Sequence, residues 1–410
     1  MAKATFMPRP TFDARALQVR EILAQRAGAV DTAAPTLEAV AEAAARTADV
    51  HASDVLARVD ALLAQMPADE VGDEQQFKQA LQTLIEYGEP ALQKLAQPAA
   101  PSASGMTPDH LASLEAIVVA DGSRPSFLLR EGGNFDHSHP FLGDWRDNML
   151  SFASTLQVLA GSVGRVQPTN GNAALFVGTG VLVDREKGLV LTNYHVVDEA
   201  RKHFGIGMEG ADRTLRVTGD LVIDFDGETG TTGRNRFRVK EVQLPEGFGR
   251  GFAGLDAAVL RIEEFDPAES KLPARAPKLS ADADYANGAS PTLVTIGFPG
   301  PPDAVTPTGA TVDWTFVIKT LFGNRFGVKR VAPGRFMQGP GAIAGDGFGR
   351  VLTHDATTFG GASGSLVFAW NDQGSPAFGL HFSGATLSAN NAVSLHKAAN
   401  ALQQIGVPLA

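Results

Sequence analysis

The sequence predicts a multidomain α and β chain: an N-terminal helical module, then a larger all-β domain of sandwich or barrel type. Three observations carry that expectation. At 410 residues the chain is too long for one ordinary hydrophobic core. From about Asp13 to Leu95 the chain is rich in Ala, Leu, Glu and Gln, with apolar positions at helical spacing. From Ser162 onward the texture changes to Val-rich alternating runs split by Gly, Pro, Asn and Asp. With 44% hydrophobic and 20% charged residues, the chain has the composition of a folded protein and not of a disordered one.

The elements follow in order. Leu37, Val40, Ala41 and Ala44, then Val55, Leu56, Val59, Leu62 and Leu63, mark two helical faces. A third helix starts near Asp73 and runs through Phe77, Leu81, Leu84 and Ile85, with an interruption expected at Gly88 and Pro90. Residues 97–105 have linker composition, since Pro, Ala, Ser and Gly offer no periodic face to bury. A mixed segment comes next, with a helix over 111–118, a strand over 126–130 and a helix over 145–159. Strands are expected over 174–183, 189–192, 221–224, 257–262, 291–296 and 365–369, and a final helix over 393–405. The domain boundaries are therefore 1–100, 101–160 and 161–410.

Composition excludes several classes. A net charge of −10 and pI near 5.4 oppose phosphate-gripping contacts with nucleic acid, and the basic run 234–238 reads as solvated strand or loop. No stretch reaches the roughly 18 apolar residues of a membrane span, and residues 1–10 lack the apolar run of a secretory signal. There is no cysteine, which fits a reducing, cytoplasmic setting. No cofactor motif is present: residues 339–349 are Gly-rich but lack the ending of a phosphate loop, and Asp136-His137-Ser138-His139 reads as a polar loop and not a metal site.

A hydroxyl is a poor nucleophile near neutral pH. It needs a base beside it, a carboxylate to orient that base, and backbone donors for the developing oxyanion. His195 stands at the end of a second strand in the run Gly188-Leu189-Val190-Leu191-Thr192-Asn193-Tyr194-His195-Val196-Val197, which follows the strand Gly178-Thr179-Gly180-Val181-Leu182-Val183. Here the sequence resembles the trypsin-like serine peptidases. That resemblance implies a double β-barrel of the chymotrypsin type for the all-β domain, and hydrolysis of peptide bonds. Asp256, in Gly254-Leu255-Asp256-Ala257-Ala258-Val259, stands where the family places its orienting acid. Ser363, in Gly360-Gly361-Ala362-Ser363-Gly364-Ser365, resembles the nucleophile loop, so the amides of Gly361 and Ser363 would form the oxyanion hole, worth about 2.7–4 kcal/mol per donor. The chain order His, Asp, Ser is that of the two-barrel fold; an α/β-hydrolase would run Ser, acid, His.

Two departures matter. Ala362 stands where digestive members have Asp, so activation by a buried salt bridge to a freed N-terminus cannot operate. Leu366 replaces the usual Pro. Thr295-Ile296-Gly297-Phe298-Pro299-Gly300 resembles the Gly-Tyr/Phe-Pro turn of the second barrel, and the residues after Ser363 leave no room for a PDZ domain. Thr357, Thr358 and the strand Phe378-Gly379-Leu380-His381-Phe382-Ser383-Gly384 resemble the pocket of bacterial glutamyl endopeptidases, in which a Thr and a His hold the substrate carboxylate. The resemblance implies Thr357, Thr358, His381 and Ser383 as substrate-binding residues and a preference for Glu or Asp before the scissile bond. The helical module resembles adaptor-like regions preceding such domains, implying a protein partner or a regulatory role. The alternative is an inactive scaffold that keeps only the fold.

Overall fold

The computed structural model describes residues 12–26, 68–95, 105–120, 122–210, 212–302, 306–343, 345–370, 375–384 and 389–410. The helical faces expected between Leu37 and Leu63 lie outside these. The helical region comprises α1 (Phe12–Arg26), α2 (Ala68–Val71), α3 (Glu74–Leu95) and α4 (Pro108–Ala120). Asp73 precedes α3 as an N-terminal cap, its Oδ1 accepting from Gln76 N at 2.8 Å.

The helix does not break at Gly88 and Pro90, as the sequence suggested, but continues to Leu95. Packing explains this. Its apolar stripe (Phe77, Leu81, Leu84, then Ala91, Leu92, Leu95) is buried on both sides of the pair. Gly88 also lets α4 come so close that a Cβ there would lie 2.5 Å from Ile117 Cδ1. That burial offsets the hydrogen bond lost at Pro90.

The next segment holds β1 (Phe127–Leu128), then α5 (Arg146–Ser151) and α6 (Ala153–Gly161). The single helix expected over 145–159 is two, divided at Phe152 (φ −100°, ψ 6°), whose ring meets Trp370 edge-on at 5.7 Å.

The first barrel is built from β2 (Val163–Pro168), β3 (Gly178–Asp184), β4 (Leu189–Thr192), β7 (Leu221–Asp224), β8 (Arg236–Gln243) and β9 (Ala258–Glu264). The helix α7 (Tyr194–His203) follows β4, and β5 (Met208–Glu209) and β6 (Thr214–Val217) form a flap on β8. The antiparallel order β7-β2-β3-β4-β9-β8 returns to β7, so this is a closed six-strand barrel. Val, Leu and Ile fill it: Val166, Leu182, Val190, Ile223, Val239 and Leu260 share one core.

The second barrel uses β10 (Thr292–Gly297), β11 (Arg330–Gln338), β12 (Val351–His354), β13 (Leu366–Ala369), β14 (Ala377–Gly384) and β15 (Asn390–Ser394). It closes in the order β11-β10-β13-β14-β15-β12, with β1 added outside β11. Short α8 (Ala283–Ala286) precedes it and α9 (Trp314–Leu321) interrupts it. The last helix, α10 (Leu395–Gln404), starts later than expected because 390–394 is needed to pair with β12 and β14.

Two cores lie outside the barrel interiors. One joins the barrels to each other and to the mixed segment, through Val181, Leu191, Ile296, Leu380, Trp145, Met149 and Leu156. The other unites α1, α3 and α4 with α9 and with Phe359, a residue of the loop before Ser363. Among the described residues no helix is long and apolar enough to cross a membrane.

Candidate active site

The pairing of β4 with β9 sets Thr192 against Ala258, which brings the residues just beyond, His195 and Asp256, together. His195 lies past the strand end expected for it, in the first turn of α7. Its Nδ1 is 2.9 Å from Asp256 Oδ2, and its backbone N–H donates to Asp256 Oδ1 at 3.0 Å. The carboxylate is 1% exposed and accepts a third hydrogen bond from Gly251 N at 2.6 Å. Asn193 Nδ2 holds the Asp256 carbonyl at 2.8 Å. A carboxylate so fixed keeps the imidazole protonated at Nδ1 and leaves Nε2 as the basic nitrogen.

Ser363 sits on the loop entering β13. Gly361 (φ +91°) and Gly364 (φ +93°) take left-handed conformations that any Cβ would strain. Thr179, fully buried on β3, stitches this loop to the other barrel: its Oγ1 donates to Gly361 O at 2.8 Å and its N–H to Ser363 O at 2.8 Å. Among the described residues the amides of Gly361 and Ser363 have no hydrogen-bond partner. The Ser363 hydroxyl donates to Phe382 O at 3.3 Å and not to His195. The two loops meet at Gly178, where a Cβ would lie 2.7 Å from Val196 Cγ2 and 3.0 Å from Ser363 O.

Hydrogen bonds and ring contacts tie the residues expected around the substrate to neighbours the sequence reading missed. Thr358 Oγ1 donates to Asn390 Oδ1 at 2.6 Å, while Thr357 Oγ1 turns away to Arg124 O at 2.6 Å. Ser383 Oγ accepts from Asn391 Nδ2 at 3.2 Å, which leaves its own proton free to donate. His381, 2% exposed, has its Nδ1 buried without a partner among the described residues. Behind it lies His354, fully buried, its ring 5.4 Å away and neither nitrogen partnered among the described residues. Burial drives the pKa of His354 from 6.5 to about 3. His381 is held well below 6.5 by burial first, then by His354 and His195. Both rings are therefore neutral near pH 7. His354 stands alone at a strand end with no motif around it, so only the fold reveals its place.

Two closed antiparallel six-strand barrels, carrying a His–Asp pair on one and a Gly-flanked Ser loop on the other, define the double-barrel serine peptidases. The model of the trypsin-like peptidase domain matches residues 178–376. A probable serine protease of Lysobacter enzymogenes is 44% identical over 393 residues, covering 96% of this chain and 98% of that one. The chain belongs to the trypsin-like serine peptidases. Similar solved structures include a protease of M. tuberculosis in an inactive form (18% identity, 63% of this chain and 96% of that one, TM-score 0.33). Another is a secreted serine protease of Vibrio cholerae (15% identity, 61% of this chain and 47% of that one, TM-score 0.41).

Proposed function

We propose that this serine peptidase is an endopeptidase whose triad is His195, Asp256 and Ser363 and which cleaves after acidic residues. In this reading Ser363 Oγ attacks the scissile carbonyl while His195 Nε2 takes its proton. The amides of Gly361 and Ser363 receive the oxyanion, and His195 then protonates the leaving amine. Water, deprotonated by the same imidazole, releases the acyl group. The observation that carries the reading is the triply bonded Asp256 behind His195, beside a loop whose Gly361 and Ser363 amides have no partner among the described residues. The hydroxyl must rotate from Phe382 O to reach Nε2, as bonds in substrate-free sites often tighten only on binding. A fluorophosphonate probe should label the parent and not Ser363→Ala, and Asp256→Asn should lower kcat by about 10⁴-fold. Labelling that survives Ser363→Ala would reject the assignment.

The acidic preference is supported by the neutral, incompletely partnered His381 and by Ser383, whose hydroxyl has a proton to give. A substrate carboxylate beside His381 would favour its imidazolium and accept its N–H. Thr358 contributes through Asn390, and Thr357 shapes the wall. Cleavage of a peptide library should show Glu or Asp before the scissile bond; a clear preference for Arg or Phe there would discard the idea.

The cysteine-free composition supports a reducing, cytoplasmic residence. The groove between α3 and α9, with Phe316 42% exposed, supports a protein partner for the helical region. Crosslinking from that position would capture it.

A further inference from the structure

The wall of the proposed pocket, residues 355–358, is held from two sides. From within the second barrel, Asn390 Nδ2 donates to Ala356 O at 2.5 Å and Asn390 Oδ1 accepts from Thr358. From outside, the chain just after α4 reaches across. Arg124 Nη2 pairs with Asp355 Oδ2, while Asp355 Oδ1 accepts from Arg335 N at 2.6 Å. Arg124 O accepts from Thr357 Oγ1 at 2.6 Å. The pair is closed off from solvent, with side-chain exposures of 5% and 2%. Trp145 backs it, its ring 5.7 Å from the guanidinium and its Nε1 bonded to Ser123 O at 3.1 Å. A little further along, Phe359 enters the helical core, edge-on to Phe322 at 4.8 Å and Phe326 at 6.4 Å. The stretch that leads into Ser363 is thus gripped both by the second barrel and, through Arg124 and Trp145, by residues that precede both barrels.

Stability alone does not call for this arrangement, since well-packed apolar side chains in place of a buried ion pair serve at least as well. What a buried guanidinium adds is direction: two planar groups meet in one geometry and fix the backbone attached to each. Ala362 has removed the carboxylate by which digestive relatives order this loop. Asp355 places a buried carboxylate earlier in the same stretch, with Arg124 as its permanent cation.

We propose that Arg124 is a positioning residue for the substrate pocket, and that the segment joining α4 to β1 is an internal strut of the wall at 355–358. The inference rests on the pocket reading above. It makes the helices before the barrels part of the working enzyme, and it places the control of specificity in a contact between sequence-distant regions.

The test uses the full chain with Arg124→Gln and Arg124→Lys. KM and kcat are measured on the best library peptide, alongside the rate of fluorophosphonate labelling and the thermal midpoint. The small probe needs the nucleophile and the oxyanion amides but not the wall. Arg124→Gln should raise KM about tenfold or more, with labelling within about threefold of the parent. Arg124→Lys keeps the charge opposite Asp355 and so the fold, and should raise KM by about threefold. An unchanged KM in the folded Lys variant overturns the proposal, as does an equal loss of labelling and turnover. A parent protein that takes no label sinks the triad reading and this inference with it; a labelled parent with unaltered variants sinks the strut alone.

Discussion

At the scale of single residues, the site combines side chains fixed by hydrogen bonds with others that burial keeps uncharged. Asp256 belongs to the first kind; beside it in the site, Gly361 has no room for a side chain, since a Cβ would lie 2.7 Å from Phe176 Cε2 and from Phe298 O. His354 belongs to the second. Its folded pKa, about 3, lies below the ordinary 6.5. The stability its neutral burial allows is complete above pH 6.5, and it is lost as pH falls from there towards 3, because the unfolded chain takes a proton that the native state refuses. Each such group contributes a slope of about 1.4 kcal/mol per pH unit in that window. His354→Leu, close in volume and without a proton to refuse, should therefore flatten the acid fall in stability by about one proton. Chemical denaturation of parent and variant at several pH values between 4 and 7 measures it, and parallel curves would show that His354 is not the refusing group.

Among elements, the join between the helices and the second barrel turns on Asp109, in the first turn of α4. Its buried carboxylate accepts from Thr311 N and Oγ1, Val312 N and Trp314 Nε1, all at 2.9–3.1 Å. Burial alone would raise its pKa, but these bonds outweigh burial and hold it below the usual value. Asp109→Ala would leave the buried indole N–H and the amides of the loop before α9 without acceptors, at a cost of about 2 kcal/mol or more. Urea unfolding should show that loss, and a change below about 0.5 kcal/mol would mean that water or a shifted loop replaces the carboxylate.

The same region shows what sequence reading could and could not see. Strands such as β3, β4 and β9 were legible because Val, Leu and Ile recur in short runs closed by turns; His195 and Ser363 became triad candidates through local motifs, and Asp256 through its order and spacing relative to His195. By contrast α9, Trp-Thr-Phe-Val-Ile-Lys-Thr-Leu, has β-branched and aromatic composition, yet Asp313 caps it and the apolar face it lays on α3 and α4 decides for helix. Arg124, Asp355, Asn390 and His354 were invisible for another reason. Their partners lie far along the chain, and no spacing records a contact that only barrel closure creates.

The whole molecule carries a net charge of −10, and a peptidase that prefers acidic side chains would then attract its substrates against its own field. Pocket and field act over different ranges. In the proposed pocket, buried His381 and half-buried Ser383 would act over a few ångströms, where salt screens little, whereas the net charge acts across a Debye length of about 30 Å at 0.01 M that shrinks to about 10 Å at 0.1 M. Approach should be limited by the field at low salt and recognition should not change. For a peptide with Glu before the scissile bond and further acidic residues flanking it, kcat/KM should rise several-fold between about 10 and 200 mM salt. The same cleavage site flanked by lysines should show the opposite slope. Because the field affects encounter and the pocket affects the bound state, kcat of both peptides should stay constant across the series. Equal slopes for the two peptides would mean that the charge of the peptide, and so the field of the protein, does not govern arrival. A kcat that itself varied with salt would place the charge dependence in the pocket.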